Sequence, residues 1–166
     1  MNAVFNRSAQ VERWLAIATI ALVFWLSGSF IFDVIILPSL ATAGMTVQPE
    51  FANVGYVLFG AFNRLELLCG SIVTVAIAAA SYQAHWRQQA WRPVAIALAV
   101  LLAIAATYTY WLAPQMSALD ASVAWLAPPA DPMSGSMLQL QWLYWLLDGL
   151  KFGLGTWVLV WCWRRR

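Results

Sequence analysis

The sequence predicts an all-α integral membrane protein, a four-helix transmembrane bundle with both termini in the cytoplasm. Of its 166 residues, 63% are hydrophobic and 10% charged, with a mean hydropathy of +0.71. A soluble domain carries roughly a quarter charged residues, so this composition is typical of a chain embedded in lipid. The apolar residues form four runs, and a helix needs about 20 residues to cross a bilayer. We therefore expect a single multi-pass membrane domain over residues 1–166.

The first apolar run, residues 14–37, is interrupted only by Asp33 and predicts the first span. Pro38 is expected to end this helix, because proline lacks an N–H and disfavours helix in the residue before it. The sequence Ala41-Thr42-Ala43 resembles a signal-peptidase site. The apolar core, however, exceeds the roughly 7 to 15 residues of a signal peptide, so we expect an uncleaved span.

The second and third spans are predicted at residues 57–82 and 93–111. Arg64 and Glu66 lie within the second run, and two interpretations of them stay open: they sit at the membrane interface, or they are buried. The third run begins at Pro93, a residue suited to the first position of a helix.

Small residues recur at helical spacing in the last two runs. Ala95, Ala99 and Ala103 form a stripe that allows a neighbouring helix to approach closely, and we favour packing within the bundle over a dimer face. Gly149 and Gly153 form a GxxxG pair, which suggests another close helix contact.

The longest connection precedes the fourth span, which is predicted at residues 138–163. Apolar residues at helical spacing predict an amphipathic surface helix over residues 115–126. They are Met116, Leu119, Val123 and Leu126.

The basic residues orient the four spans. Seven arginines lie before the first span, between the second and third, or after the fourth: Arg7, Arg13, Arg87, Arg92, Arg164, Arg165 and Arg166. The other two connections contain no lysine or arginine. Because positive residues favour the cytoplasmic side, both termini are predicted to be cytoplasmic.

Several classes of function are disfavoured by the composition. A net charge of +2 gives no reason to expect a nucleic-acid partner. Cys69 and Cys162 lie in different runs and are predicted to be buried free thiols, and no metal site or cofactor is predicted. Bound lipid or pigment beside the deeper tryptophans is an alternative to ordinary packing. Without a recognisable catalytic motif, we expect a non-enzymatic protein.

Charged and polar residues inside the runs form stripes. In the fourth run Gln141, Tyr144, Asp148 and Lys151 are spaced three, four and three apart and share one helix face. The second run adds Asn63, Arg64 and Glu66, and the first adds Asp33, one turn after Ser29. We expect these residues to form a buried polar network, because charges deep in a membrane usually face the interior of a bundle.

Two interpretations of this network are open. The favoured one is structural: Asp148 and Lys151 neutralise each other, and Arg64 pairs with Glu66 or Asp33 to fix helix register. The alternative is a proton or ion relay, or a polar substrate site. With three acids and two bases, at least one carboxylate is expected to hold a proton or a cation.

Short motifs resemble the family of four-helix membrane proteins typified by transmembrane protein 205. They are Gly28-x-Phe30 with Pro38-x-Leu40, Phe62-Asn63-Arg64, and Tyr110-Trp111-Leu112-Ala113-Pro114-Gln115-Met116. The resemblance covers most of the chain and implies a four-helix bundle without an established activity. Members tend to have a histidine near the start of the fourth helix, where this chain has Gln139 and Gln141.

The sequence favours an accessory or assembly subunit of a larger membrane complex. Its expected partners are the lipid bilayer and other membrane protein subunits, contacted through tryptophan-rich and small-residue faces. The alternative is a small transporter, or an ion- or proton-coupled protein, that uses the buried charges.

Overall fold

A computed structural model describes residues 2–43, 51–84, 88–112 and 135–165, which are helical almost throughout and include no strand. The α-helices are α1 (Asn2–Ile31), α2 (Leu37–Thr42), α3 (Phe51–Ala84), α4 (Gln88–Thr107) and α5 (Gly135–Arg165). Two π-helical segments continue α1 and α4: Phe32–Ile36, here named π1, and Tyr108–Leu112, here named π2.

Within the described ranges, four stretches of helix are long and apolar enough to cross a membrane, in agreement with the four apolar helices predicted. They are Ser8–Leu40, Val57–Ala84, Trp91–Leu112 and Trp142–Arg165. The predicted surface helix over residues 115–126 lies outside the described residues. The sidedness of the termini remains a prediction.

The helix containing Asp33 does not end at Pro38, so that prediction is wrong. The N–H of Leu37 bonds to the carbonyl of Phe32, five residues back, and α2 then carries the helix through Pro38 to Thr42. Proline has no N–H to donate, and its ring crowds the carbonyl of the preceding turn. The widened π turn accommodates both effects, so the chain stays helical.

The four long helices form a square bundle. Helix α1 packs against α3 and α5, and α4 packs against the same two helices, so α3 and α5 occupy opposite corners. Along α1 and α3 the contacts run in opposite directions, since Trp25 meets Gly70 and Ser29 meets Glu66. These neighbouring helices are therefore antiparallel.

Apolar packing is divided between the two ends of the bundle. The larger core fills the half nearer the termini and includes Leu15, Leu22, Val73, Ile77, Leu101 and Val158. A smaller core of Ile104, Tyr108, Leu112 and Tyr144 lies toward the other end. Burial of these side chains favours the folded bundle, and the charged residues lie between the two cores.

The small residues of α4 do not lie where we predicted a close helix contact. Ala99 and Ala103 are exposed and Ala95 is half-buried, because larger residues on another face of α4, among them Leu98 and Leu101, pack inward. The prediction that this stripe packs within the bundle is therefore wrong.

The GxxxG pair of α5 likewise lies on an exposed face. A Cβ on Gly149 or Gly153 would meet nothing within 4 Å. A Cβ on Gly155 would instead lie 2.7 Å from Leu26, and one on Gly70 would lie 2.8 Å from Leu102 and 3.3 Å from the Trp25 ring. Among the six glycines whose surroundings the structure describes, Gly70 and Gly155 are therefore the ones at which helices approach closely.

Candidate functional site: a buried ionic cluster

The centre of the bundle holds four charged side chains: Lys151 and three acids that contact it. Lys151 Nζ lies 2.7 Å from Asp148 Oδ1, 3.1 Å from Glu66 Oε1 and 3.9 Å from Asp33 Oδ2. The exposed fractions are 2% for Lys151 and Glu66, 5% for Asp148 and 7% for Asp33. We call these four residues the ionic cluster. A membrane-spanning chain tolerates such a cluster only when its charges compensate one another or are neutralised.

The residues of the ionic cluster come from three corners of the bundle. Lys151 and Asp148 lie three residues apart on one face of α5, as their spacing predicted. From that corner the lysine side chain reaches Glu66 on α3, the diagonally opposite helix, and Asp33 on π1. The long, flexible lysine stem makes this reach across the bundle possible.

Neutral donors complete the site. The Ser29 hydroxyl donates to Glu66 Oε1 at 2.8 Å, so this oxygen accepts from both the serine and the lysine. The Tyr144 hydroxyl donates to Asp33 Oδ1 at 2.5 Å. The Tyr108 hydroxyl donates to the backbone carbonyl of Tyr144 at 3.3 Å, which joins the fourth corner of the bundle to the same network.

Both π-helical segments supply residues to this site. Asp33 is the second residue of π1, and Tyr108 is the first residue of π2. A π turn changes the angular position of the residues that follow it, and such turns occur frequently at functional sites. Tyr108 was not among the predicted site residues, because a π turn near residue 108 has no obvious signal in the sequence.

Aromatic rings lie beside the charged residues. The ammonium of Lys151 lies 5.6 Å from the ring centre of Tyr108 and 5.4 Å from that of Phe152. At these distances the ring faces attract the cation. The Phe32 ring stacks on that of Phe62 at a centroid distance of 4.4 Å. The Phe59 ring packs edge-on against Phe32 at 5.2 Å.

Most of the predicted network meets in this cluster. Asp33, Glu66, Tyr144, Asp148 and Lys151 are brought together, and Ser29 joins them. Asn63 is buried one turn from Glu66. The side chain of Gln141 lies outside the described residues.

Arg64 is not part of the ionic cluster. Its side chain is exposed on the outer surface of α3, roughly a third of a turn around the helix from Asn63. The two open interpretations treated Arg64 and Glu66 alike, whereas the structure separates them: Arg64 is exposed and Glu66 is buried. With Arg64 outside, three carboxylates face one ammonium, and the formal charge of the fully ionised cluster is one minus three, or −2.

No family model, curated protein or solved structure matches this chain. The resemblance to the transmembrane protein 205 family therefore stays a prediction, and the site is interpreted from its own chemistry.

The position of Lys151 limits the space that the ionic cluster leaves for another cation. Among the described residues, no group of three histidine, cysteine, aspartate or glutamate side chains is arranged to hold a metal ion. The ammonium of Lys151 occupies the position between the carboxylates that a cation would otherwise take. A proton needs no such space, because it binds directly to a carboxyl oxygen and removes its charge.

Proposed function

We propose that this chain is a proton-coupled membrane protein whose ionic cluster binds and releases protons within the bilayer. The observation that carries this proposal is the excess of acid: three buried carboxylates share one lysine. A brace that serves only to fix helix register is best built from balanced charges, since uncompensated buried charge costs several kcal/mol per ion. Because Arg64 is exposed, Lys151 is the one base in the ionic cluster, and the formal excess of negative charge is two rather than one.

Protonation is the simplest way to neutralise the excess. A buried carboxyl group that takes up a proton loses its charge and gains a hydrogen-bond donor. The cluster offers several oxygens within one network, so a proton gained at one carboxyl changes the pairing of Lys151 with the other two. Proton binding is thereby coupled to contacts that join α5 to π1 and α3.

The burial of the cluster indicates how such a protein works. The larger apolar core closes the half of the bundle nearer the termini, so the described arrangement offers protons no polar route to that side through these side chains. Transfer across the membrane therefore requires a rearrangement of the helices. We infer from the arginine distribution that the termini are cytoplasmic and that the cluster lies in the half nearer the opposite side.

The proposal is tested by proton flux in liposomes that contain the purified protein and an internal pH-sensitive dye. We expect the wild-type protein to dissipate an imposed pH gradient and the Asp33→Asn/Glu66→Gln variant, which lacks the two excess carboxylates, to lose this activity. Arg64→Gln is the control, because it removes an exposed charge two residues from Glu66 on the same helix. Wild-type flux equal to that of empty liposomes would contradict the proposal, as would full activity in Asp33→Asn/Glu66→Gln.

A second candidate function is an accessory or assembly subunit of a larger membrane complex. The observation that favours it is the exposed position of the small residues Ala99 and Ala103 on α4 and of Gly149 and Gly153 on α5. These surfaces allow close approach of a helix from another chain. Gentle detergent extraction tests this candidate: a stable partner that is retained by the wild-type protein and lost on Gly153→Leu would support it, and a monomer without partners would not.

A further inference from the structure

We infer that Asp33 is the residue of the ionic cluster that carries the exchangeable proton. This inference rests on the proposed function and assigns its proton to one carboxyl group. It follows from the charges and hydrogen bonds around the three acids, from an oxygen of Asp33 that lacks a hydrogen bond, and from the position of π1 in the bundle.

The lysine compensates Asp33 least. Lys151 Nζ is 2.7 Å from Asp148 Oδ1 and donates a hydrogen bond to Glu66 Oε1 at 3.1 Å. Its distance to Asp33 Oδ2 is 3.9 Å, beyond hydrogen-bonding range. Attraction between charges falls with distance, so the negative charge on Asp33 receives the weakest compensation from this ammonium.

One oxygen of Asp33 is also left without a hydrogen bond. Oδ2 is buried and has no hydrogen-bond partner in the described part of the chain, whereas Oδ1 accepts the Tyr144 hydroxyl. Asp148 Oδ1 likewise lacks a well-aligned hydrogen bond, but it lies in ion-pair contact with the ammonium. Asp33 Oδ2 has only the more distant ammonium, at 3.9 Å, and no hydrogen bond. Burying a charged oxygen with so little compensation is costly, and a proton on Asp33 Oδ2 removes that charge.

The groups that face Asp33 come from every neighbouring helix. They are Tyr144, Asp148 and Lys151 on α5, Glu66 on α3 and Tyr108 on π2. The two other acids disfavour a negative charge on Asp33, and the one lysine is shared among all three. The Tyr144 hydroxyl fixes Oδ1, which leaves Oδ2 as the oxygen that takes the proton.

The position of π1 makes Asp33 the acid best placed for exchange. Asp33 and its partner Tyr144 lie at the end of the cluster nearer the smaller core, whereas Glu66 is followed one turn later by Cys69 of the larger apolar core. Exchange at Asp33 therefore does not require opening the larger core. We expect the proton to enter from the side of the membrane opposite the termini.

Infrared difference spectroscopy between acid and alkaline pH tests this assignment on the full chain in liposomes. A protonated carboxyl group has a C=O band separated from the bands of ionised carboxylates. We expect the wild-type protein to show such a band, the band to shift when aspartate is labelled with ¹³C in its side-chain carboxyl, and Asp33→Asn to lose it. Glu12→Gln is the matched control, because it removes an exposed carboxyl from the same helix.

A second variant keeps the test decisive if Asp33→Asn fails to fold. Tyr144→Phe removes the donor to Oδ1, so the band should persist at a higher frequency, as expected for a carbonyl that has lost a hydrogen bond. A band that is insensitive to labelled aspartate, or that disappears in Asp148→Asn and not in Asp33→Asn, overturns the assignment. A band assigned to Asp33 in a protein without proton flux would instead contradict the proposed function and leave the assignment standing.

Discussion

Lys151 on α5 donates a 3.1 Å hydrogen bond to Glu66 on α3, the helix at the opposite corner of the bundle. The two residues therefore connect helices that do not pack side by side. With Asp33 and Asp148 also in contact with the lysine, the state of one ammonium affects three helical segments. Loss of the Lys151 side chain should therefore disturb contacts in all three of these segments.

Replacing Lys151 by methionine should destabilise the protein strongly. The variant leaves three buried carboxylates without a cation, and breaking a buried charge pair in this way costs about 3–5 kcal/mol. Thermal unfolding in mild detergent measures the effect. Arg64→Met is the control: it removes an exposed positive charge and is expected to change the free energy of unfolding by less than about 0.5 kcal/mol. If the two substitutions lowered the free energy of unfolding equally, Lys151 would not stabilise the bundle as described.

Stability should fall as pH rises through the neutral range. If the folded cluster holds protons that the ionised, unfolded chain has released, the folded state binds more protons than the unfolded state. The free energy of unfolding then decreases with pH, by up to about 1.4 kcal/mol per pH unit for each extra proton. Chemical unfolding at a series of pH values measures this slope.

The double variant Asp33→Asn/Glu66→Gln is the control for this slope. It leaves the balanced pair Asp148 and Lys151, whose formal charges sum to zero. We expect it to remain folded and to show a smaller decrease of stability with pH than the wild-type protein. A decrease as steep as that of the wild type would place the responsible groups outside the ionic cluster.

Leucine at position 70 should impair packing. A Cβ there would lie 2.8 Å from Leu102 and 3.3 Å from the rigid ring of Trp25, so Gly70→Leu forces the α1, α3 and α4 contacts apart. Overpacking of this kind costs about 1–3 kcal/mol. Gly60→Leu on the same helix meets nothing within 4 Å at its Cβ and should be nearly neutral. Unfolding measurements that rank the two variants in the opposite order would contradict the packing described for α3.

Thiol labelling of the two cysteines tests whether the larger apolar core excludes water. Cys69 is 5% exposed and Cys162 is fully buried, and both belong to this core. A membrane-impermeant thiol reagent should leave both unmodified in liposomes from either side, and should modify both after unfolding in strong detergent. Mass spectrometry measures the modification. Rapid labelling of Cys69 in the folded protein would show that the core is open to water.

Much of the fold and part of the site could be predicted from the sequence. The four apolar runs imply four helices, and the spacing of Tyr144, Asp148 and Lys151 places them on one helix face. The position of Arg64 could have been predicted too. Asn63, Glu66 and Gly70 define the inward face of α3, and residue 64 points away from it, but its charge made a pairing with Glu66 attractive.

Other features depend on tertiary contacts that one sequence does not specify. The two π turns alter helix phase at Asp33 and Tyr108, and only Pro38 hints at the first of them. Small-residue spacing marked Ala99 and Gly153, whereas the close approach occurs at Gly155, because the inward face of each helix is set by its neighbours. Spacing alone identifies a stripe and leaves open which side of the bundle it faces.

The number of protons released when the protein unfolds tests the central claim most directly. The protein is unfolded with strong detergent in weakly buffered solution at neutral pH, and a soluble indicator dye counts the protons. Three carboxylates less one ammonium leave two excess negative charges, so the account predicts that the wild-type chain releases up to two more protons than Asp33→Asn/Glu66→Gln. Equal release from the two proteins would contradict the claim that the cluster holds protons.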